Sequence, residues 1–438
     1  MTILLNPVII SVILLCVLCL CRINVLLAII ISAITAGLTG GLGIDRVMST
    51  FITGMGGNSE TALSYILLGT FAAAMTHTGL ATILAKKIAN VIADKKVMLL
   101  FILAGIAVLS QNLIPVHIAF IPILIPPLLH VMNKLKLDRR AAACALAFGL
   151  KAPYIAIPAG FGLIFQGLIA DNMTLNGMQV LKNDVWKSTW ILGLAMFAGF
   201  LTAIFIPYRN PREYQDCEVC KNELEKEDEE ALKLNKNHYI TLLGAFATLA
   251  VQLWTKSLPL GALVGLGIVF GGGAVSHRKM DKLINEGIGL MGYVAFVMLV
   301  AAGFALVLKE TGGIDILVNA IMPFMQNSKI IATGLMLFLG LFITMGIGTS
   351  FGTIPILAVL FIPICSHLGM SVPASIVVLA AAAALGDAGS PASDTTLGPT
   401  AGLNADGQHN HIWDTCIPTF LHYNIPIIIF ALIAAIYF

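Results

Sequence analysis

The chain has 438 residues, of which 58% are hydrophobic and 11% charged, at a mean hydropathy of +0.93. Soluble globular chains carry about 25% charged residues, so this composition excludes that class and implies an integral membrane protein. A net charge of +2 gives no basis for a nucleic-acid partner.

Leu4 to Cys21 is an apolar run near the ~20 residues a crossing needs, and it lacks the basic start and small-residue cleavage site of a signal peptide. After a turn at Arg22 and Asn24, Val25 to Leu42 spans back, and Thr61 to His77 spans again. Gly79 to Lys96 sets leucines and isoleucines against four lysines at helical spacing, which predicts an amphipathic helix along the interface. Val97 to Met132 is apolar but interrupted at Ser110-Gln111-Asn112, with His117 just beyond. Its arms are short for full crossings, so the expectation is a re-entrant hairpin with a polar tip. Ala141 to Ile169 is helical and expected to break at Leu150-Lys151-Ala152-Pro153-Tyr154. Trp186 to Ile206 spans.

Residues 209–237 hold nine acidic and six basic residues and form a solvated linker. It contains Cys217-x-x-Cys220, a lone pair that makes no zinc site. The order then recurs: spans at His238–Trp254, Pro259–Val275 and Gly287–Leu308, an interfacial helix at Gly312–Gln326, and a hairpin over Ile330–Leu368 with its tip at Gly348-Thr349-Ser350. Val372–Leu385 leads into Gly386-Asp387-Ala388-Gly389-Ser390-Pro391-Ala392-Ser393-Asp394-Thr395-Thr396, and Pro418–Phe438 closes the chain. Pairing Ile125-Pro126 with Ile362-Pro363, His130 with His367 and Gly149 with Gly386 gives an internal offset of 237.

This predicts an all-α polytopic membrane protein of two repeats, residues 1–208 and 238–438. Each repeat has five spanning helices, one of them broken, plus a hairpin. Five crossings are odd, so the second repeat enters from the opposite face, an inverted topology used by secondary transporters. On that topology 18 of the 25 lysines and arginines share one side with the linker, six lie on the other, and Lys151 lies within. The positive-inside rule makes the linker side cytoplasmic and both termini extracytoplasmic.

Ionisable groups at membrane depth are costly and mark function. Asp387 and Asp394, with Ser390, Ser393 and Thr395, have the oxygen chemistry for Na⁺ or the carboxylates to carry a proton. No other cofactor is expected. Lys151 neutralises a carboxylate or holds a substrate. The tips, Ser110, Gln111 and Asn112 and then Thr349 and Ser350, offer a dock for a substrate carboxylate, and His117 is a candidate proton relay. His409, His411, Asp414 and His422 match no closed metal site and read as an exposed loop. Gly348-Thr349-Ser350-Phe351-Gly352 fits G-x-S-x-G, so an intramembrane serine hydrolase using Ser350 is an alternative, as is a passive channel; the hydrolase motif requires a strand-to-helix turn, and nothing here reads as a strand.

The run from Gly386 to Thr400, continuing through Asp406-Gly407-Gln408-His409 and Ile412-Trp413-Asp414-Thr415, resembles the bacterial Na⁺/H⁺ antiporter family of NhaC type. It is most similar to the YuiF-like branch of amino-acid (histidine) permeases. The resemblance implies the ion-transporter superfamily fold with scaffold and transport domains, elevator motion, a homodimer, and a polar break at Asp387, Ser390, Ser393 and Asp394.

Overall fold

The computed structural model describes residues 6–21, 23–80, 83, 95–112, 117–159, 161–215, 235–255, 257–314, 316, 323 and 328–438. Most of the two expected interfacial helices, linker residues 216–234 with Cys217 and Cys220, and the side chains of Ser110, Asn112 and His117 lie outside what is described.

The described residues are helical throughout, with no strand. In order they are α1 (Pro7–Leu20), α2 (Val25–Thr39), α3 (Ile44–Met55), α4 (Ser59–His77), α5 (Lys96–Asn112), α6 (His117–Lys134), α7 (Arg139–Ala156), α8 (Phe161–Leu175) and α9 (Lys182–Phe205). Then follow α10 (Lys236–Thr255), α11 (Leu258–Gly271), α12 (Met280–Glu310), α13 (Lys329–Ile347), α14 (Ser350–His367), α15 (Val372–Ala384), α16 (Asp394–Leu403) and α17 (His411–Tyr437). The first part of α17 contains two π-helical stretches, His411–Cys416 and Phe420–Asn424.

Local chemistry sets many of the starts. Asn6, Asn24, Asp138, Ser371 and Ser393 each accept a hydrogen bond from a first-turn N–H of the helix they precede. Pro7, Pro259 and Pro373 stand at N1 or N2, where a missing N–H costs nothing.

Five described helices are long and apolar enough to cross a bilayer, and the α7–α8 pair, bent by 47°, makes a sixth. Six further apolar helices are shorter. Both arms of the second hairpin, α13 and α14, are among the five, so those arms are longer than a shallow re-entrant loop requires. The chain is a polytopic all-helical membrane protein.

Helix boundaries recur at a fixed spacing. Val25 and Leu258, Lys96 and Lys329, His117 and Ser350, Arg139 and Val372, and Phe161 and Asp394 all begin helices and stand 233 apart. The ends His77 and Glu310, and Lys134 and His367, do the same. The sequence pairing at 237 is therefore four residues out, about one helical turn, which keeps residues on the same face.

Two groups of helices pack internally. One holds α1–α4 with α10–α12, the other α5–α9 with α13–α17, and they meet where α1 touches α13, α4 touches α6, and α12 touches α13 and α16. In the second group small residues bring helices close. A Cβ on Gly340 would come within 2.5 Å of Ala382 in the alanine-rich α15, and a Cβ on Gly149 would collide with Ala104 and Ala107 of α5.

Candidate functional site

The helix of α15 stops at Leu385, whose extended backbone (ψ 145°) carries the chain out of the helical path. Gly386 (φ +82°) and Gly389 (φ +97°) then adopt left-handed conformations that glycine tolerates. Position 386 also has no space for a side chain, since a Cβ would lie 2.5 Å from the Leu341 carbonyl. The unwound stretch runs to Ser393, which caps α16. It is buried, and its own side chains stitch it together. Thr396 Oγ1 donates to the Ser390 carbonyl at 2.6 Å, the Ser390 hydroxyl accepts from the Ala392 N–H at 3.2 Å, and Asn424 Nδ2 donates to the Ala388 carbonyl at 2.8 Å.

Asp387, 3% exposed, is at the centre of the cluster. Its Oδ2 accepts from Ser350 Oγ at 2.6 Å and Tyr154 OH at 3.1 Å, and lies 3.3 Å from Lys151 Nζ. Its Oδ1 accepts from Ser393 Oγ. Ser393 Oγ is 2.9 Å from Thr395 Oγ1, and the latter donates to the Asp387 carbonyl at 3.2 Å. Lys151 is fully buried and also donates to the Ala384 carbonyl at 2.5 Å, one of the carbonyls the helix end leaves without a partner. Tyr154 is fixed by Phe165 and Phe351, whose ring centroids lie 5.1 and 5.3 Å from its own. Beside this cluster is a cavity of about 30 Å³ lined by Gln111, Tyr154, Thr349, Asp387, Asp394 and Thr395. It has room for a water or a bare monovalent ion.

The expected residues therefore separate. Lys151, Ser350, Asp387, Ser393 and Thr395 form one network, and Gln111, Thr349 and Asp394 join them at the small cavity. The Ser390 hydroxyl is not in that network; it lies 3.5 Å from the Met345 carbonyl and braces the loop. The break in the first half is not at Leu150–Tyr154. Helix α7 runs through Pro153 to Ala156, and the interruption begins at Ile157. Gly149 is accordingly helical, unlike Gly386. Tyr154 is the residue that sequence reasoning passed over. On a continuous helix it lies three residues from Lys151, on the same face, and that spacing was the available signal.

A second polar cluster lies at the far ends of α7 and α16. Arg139, fully buried, grips Asp406 with two bonds of 2.6 and 2.5 Å and also donates to the Leu403 carbonyl at 3.1 Å and to Asn133 at 2.9 Å. The first linker residues strap across it. The Tyr214 ring stacks 4.2 Å from the Arg139 guanidinium, and Arg212 donates to Asp414 at 2.7 Å. The stretch around His409 is not an exposed loop: His409 and Asp414 are buried, and His409 Nε2 pairs with Thr415 Oγ1 at 2.7 Å.

Ser350 follows the left-handed Gly348 between two helices, and its hydroxyl is held by Asp387 and Tyr154. A nucleophile elbow needs a strand before the turn, so G-x-S-x-G here is a hairpin tip.

The Na⁺/H⁺ antiporter family profile matches residues 145–436, and a second profile, for a Na⁺-H⁺ antiporter family, matches residues 6–92. The chain belongs to the Na⁺/H⁺ antiporter family. An uncharacterized membrane protein of Vibrio parahaemolyticus is 47% identical over 98% of this chain and 99% of its own length. A Bacillus subtilis protein named "Putative amino acid transporter YuiF" is 45% identical over 98% and 99%. Among solved structures, the Alcanivorax borkumensis YdaH transporter covers 90% of this chain and 88% of its own at a TM-score of 0.45 and 15% identity. Members of the Na⁺/H⁺ antiporter family are transporters, and this chain is a secondary transporter and not an enzyme.

Proposed function

We propose that this antiporter-family protein moves a small amino-acid-like solute across the bacterial cell membrane, coupled to Na⁺ or H⁺ at Asp387. The observation that carries the reading is the buried Lys151–Asp387 pair, 3.3 Å apart at an unwound helix. A buried ion pair adds little net stability relative to apolar packing, so its retention calls for a use. Protonating Asp387, or placing a cation against it, removes the partner of Lys151. Ser350, Ser393 and Thr395 can rotate from donating to accepting and so present oxygens to an ion. The load on Lys151 and the carbonyl it holds then changes with each coupling ion, linking occupancy to the shape of the break.

Two inverted repeats, residues 1–208 and 238–438, with the linker on the cytoplasmic side, account for the 233-residue recurrence. The cluster supports a two-fold relation between them. Lys151 bonds to Ala384 and Tyr154 to Asp387, and both pairs are separated by that same 233. Residues that touch their own counterparts are found on a two-fold axis. The longer hairpin arms leave the parity unchanged, because a hairpin returns to the side it came from. The division into two helix groups supports elevator motion of α5–α9 with α13–α17 against the rest, and pairing of two copies through the other group.

The test is uptake of a panel of labelled amino acids into proteoliposomes under Na⁺ and pH gradients. We expect gradient-dependent uptake that Asp387→Asn abolishes. Uptake that the variant leaves intact would remove Asp387 from the mechanism. The ~30 Å³ cavity favours, as a second reading, exchange of Na⁺ for H⁺ without organic cargo. That would register as Na⁺-driven pH change with no amino acid taken up.

A further inference from the structure

We propose that His409, Thr415, Thr400 and His411 carry protons between the linker side and the unwound stretch. This rests on the reading of Asp387 as the coupling site and deepens it by giving H⁺ a path of its own. The four side chains are continuous. His409 Nε2 lies 2.7 Å from Thr415 Oγ1, Thr415 Oγ1 lies 2.9 Å from Thr400 Oγ1, and Thr400 Oγ1 lies 2.8 Å from His411 Nδ1. His411 Nε2 then reaches the Pro391 carbonyl of the unwound stretch at 3.0 Å. Hydroxyls and imidazoles can each give one hydrogen and accept another. His409, Thr415 and Thr400 are buried and His411 is partly buried, which keeps the links apart from bulk water.

The Pro391 carbonyl fixes the starting polarity. It only accepts, so neutral His411 keeps its hydrogen on Nε2 and takes one at Nδ1 from Thr400. Thr400 then accepts from Thr415, and Thr415 from His409 Nε2. His409 Nδ1 is left as an acceptor, and it has no partner among the described residues. A brace made for rigidity satisfies its buried ends, whereas an open acceptor at the outer end can take up a proton. When Nδ1 binds that proton, the Nε2 hydrogen passes to Thr415, the Thr415 hydrogen to Thr400 and the Thr400 hydrogen to His411 Nδ1. Every link survives with its direction reversed, and one positive charge has moved from His409 to His411. Thr400 Oγ1 also lies 2.8 Å from the Thr396 carbonyl, and turning its hydrogen there opens the chain.

The charged groups around the outer end are paired: Arg139 with Asp406, Arg140 with Asp138, and Arg212 with Asp414. They leave no net charge to trap the proton at His409. His411 faces His409 along the chain, and the Cys416 thiol 3.5 Å from its Nε2. Asp394, at the other end of α16, lines the Asp387 cavity. Two imidazolium rings repel, so the chain holds one proton at a time. An imidazolium at His411 and a cation at Asp387 load the same unwound stretch with like charge, and each disfavours the other.

The test follows internal pH with entrapped pyranine in proteoliposomes given a Na⁺ gradient and, in parallel, a gradient of each labelled amino acid. We expect H⁺ movement that Thr400→Val and Thr415→Val each slow at least about tenfold, since a positioned proton-transfer group is worth about 10²–10⁴-fold. Two interruptions are made so that one folded variant suffices. Thr400→Ser keeps the hydroxyl and should restore the flux. Thr419 donates to the Thr415 carbonyl at 2.7 Å and stands outside the chain, so Thr419→Val should match the parent. Parent-like H⁺ flux in a folded valine variant at 400 or 415, an equal loss in Thr419→Val, or no H⁺ movement in the parent under any gradient would each overturn the conduit. If the two interruptions stop H⁺ movement while Asp387→Asn leaves it and uptake intact, the coupling reading fails and the conduit stands. Asp387-dependent, Na⁺-driven uptake with no H⁺ movement fails the conduit alone.

Discussion

Asp387 is held by donors from three separate helices and its own loop, so its neighbours can be tested one at a time. Asp387→Asn leaves the Lys151 ammonium buried without its partner, and breaking one side of such a pair costs about 3–5 kcal/mol. Thermal unfolding in detergent should show that loss, and Lys151→Met in addition should recover most of it without recovering uptake. A single variant that melts like the parent would mean the pair is not ionised. Tyr154→Phe removes one hydrogen bond to the carboxylate and should cost about 1 kcal/mol, with reduced but measurable uptake. At this scale the sequence was informative where residue type alone decides. Carboxylates and hydroxyls around two glycines announced the cluster. The contact of Tyr154 with Asp387 and the place of the Ser390 hydroxyl outside that network depend on which way a side chain faces, and that follows from where each helix breaks.

Helix order could be read from hydropathy, and so could the recurrence of one unit. The first break could not, because Pro153 was given more weight than it has. A proline inside a buried helix loses one hydrogen bond, and α7 is packed closely enough to continue past it. The second break was legible because two glycines and a proline act together there. Gly386→Ala should be poorly tolerated, combining a left-handed backbone (φ +82°) with a clash on α13. We expect a loss of about 1–3 kcal/mol and lower expression, read from the melting temperature. The Arg139–Asp406 clamp ties α7 to the exit of α16. Burial pushes the Asp406 carboxyl up, but its bonds and attraction to Arg139 outweigh that and hold it below the usual range. A carboxylate with a depressed folded value stabilises fully above its unfolded value near 3.9 and loses that as pH falls through the folded value. Asp406→Asn should therefore be less stable than the parent at neutral pH, and the gap should close below about pH 4.

For the molecule as a whole, the two helix groups meet at a pair of sulfur atoms, Cys16 Sγ and Met345 Sδ, 3.5 Å apart. Met345→Cys in a background that retains only Cys16 should cross-link with a short bis-methanethiosulfonate. The cross-link should stop uptake until a reductant is added. Quantitative cross-linking with uptake intact would rule out sliding at that seam. The positions that touch their own counterparts carry a historical consequence as well. In a symmetric pair of identical chains, any residue on the axis faces itself, so a lysine would meet a lysine and an aspartate an aspartate. A phenol opposite a carboxylate becomes possible there only once the two copies differ in sequence. On the proposed two-fold relation, the unequal pair Tyr154–Asp387 thus places that contact after the two copies diverged, whatever an ancestral dimer carried.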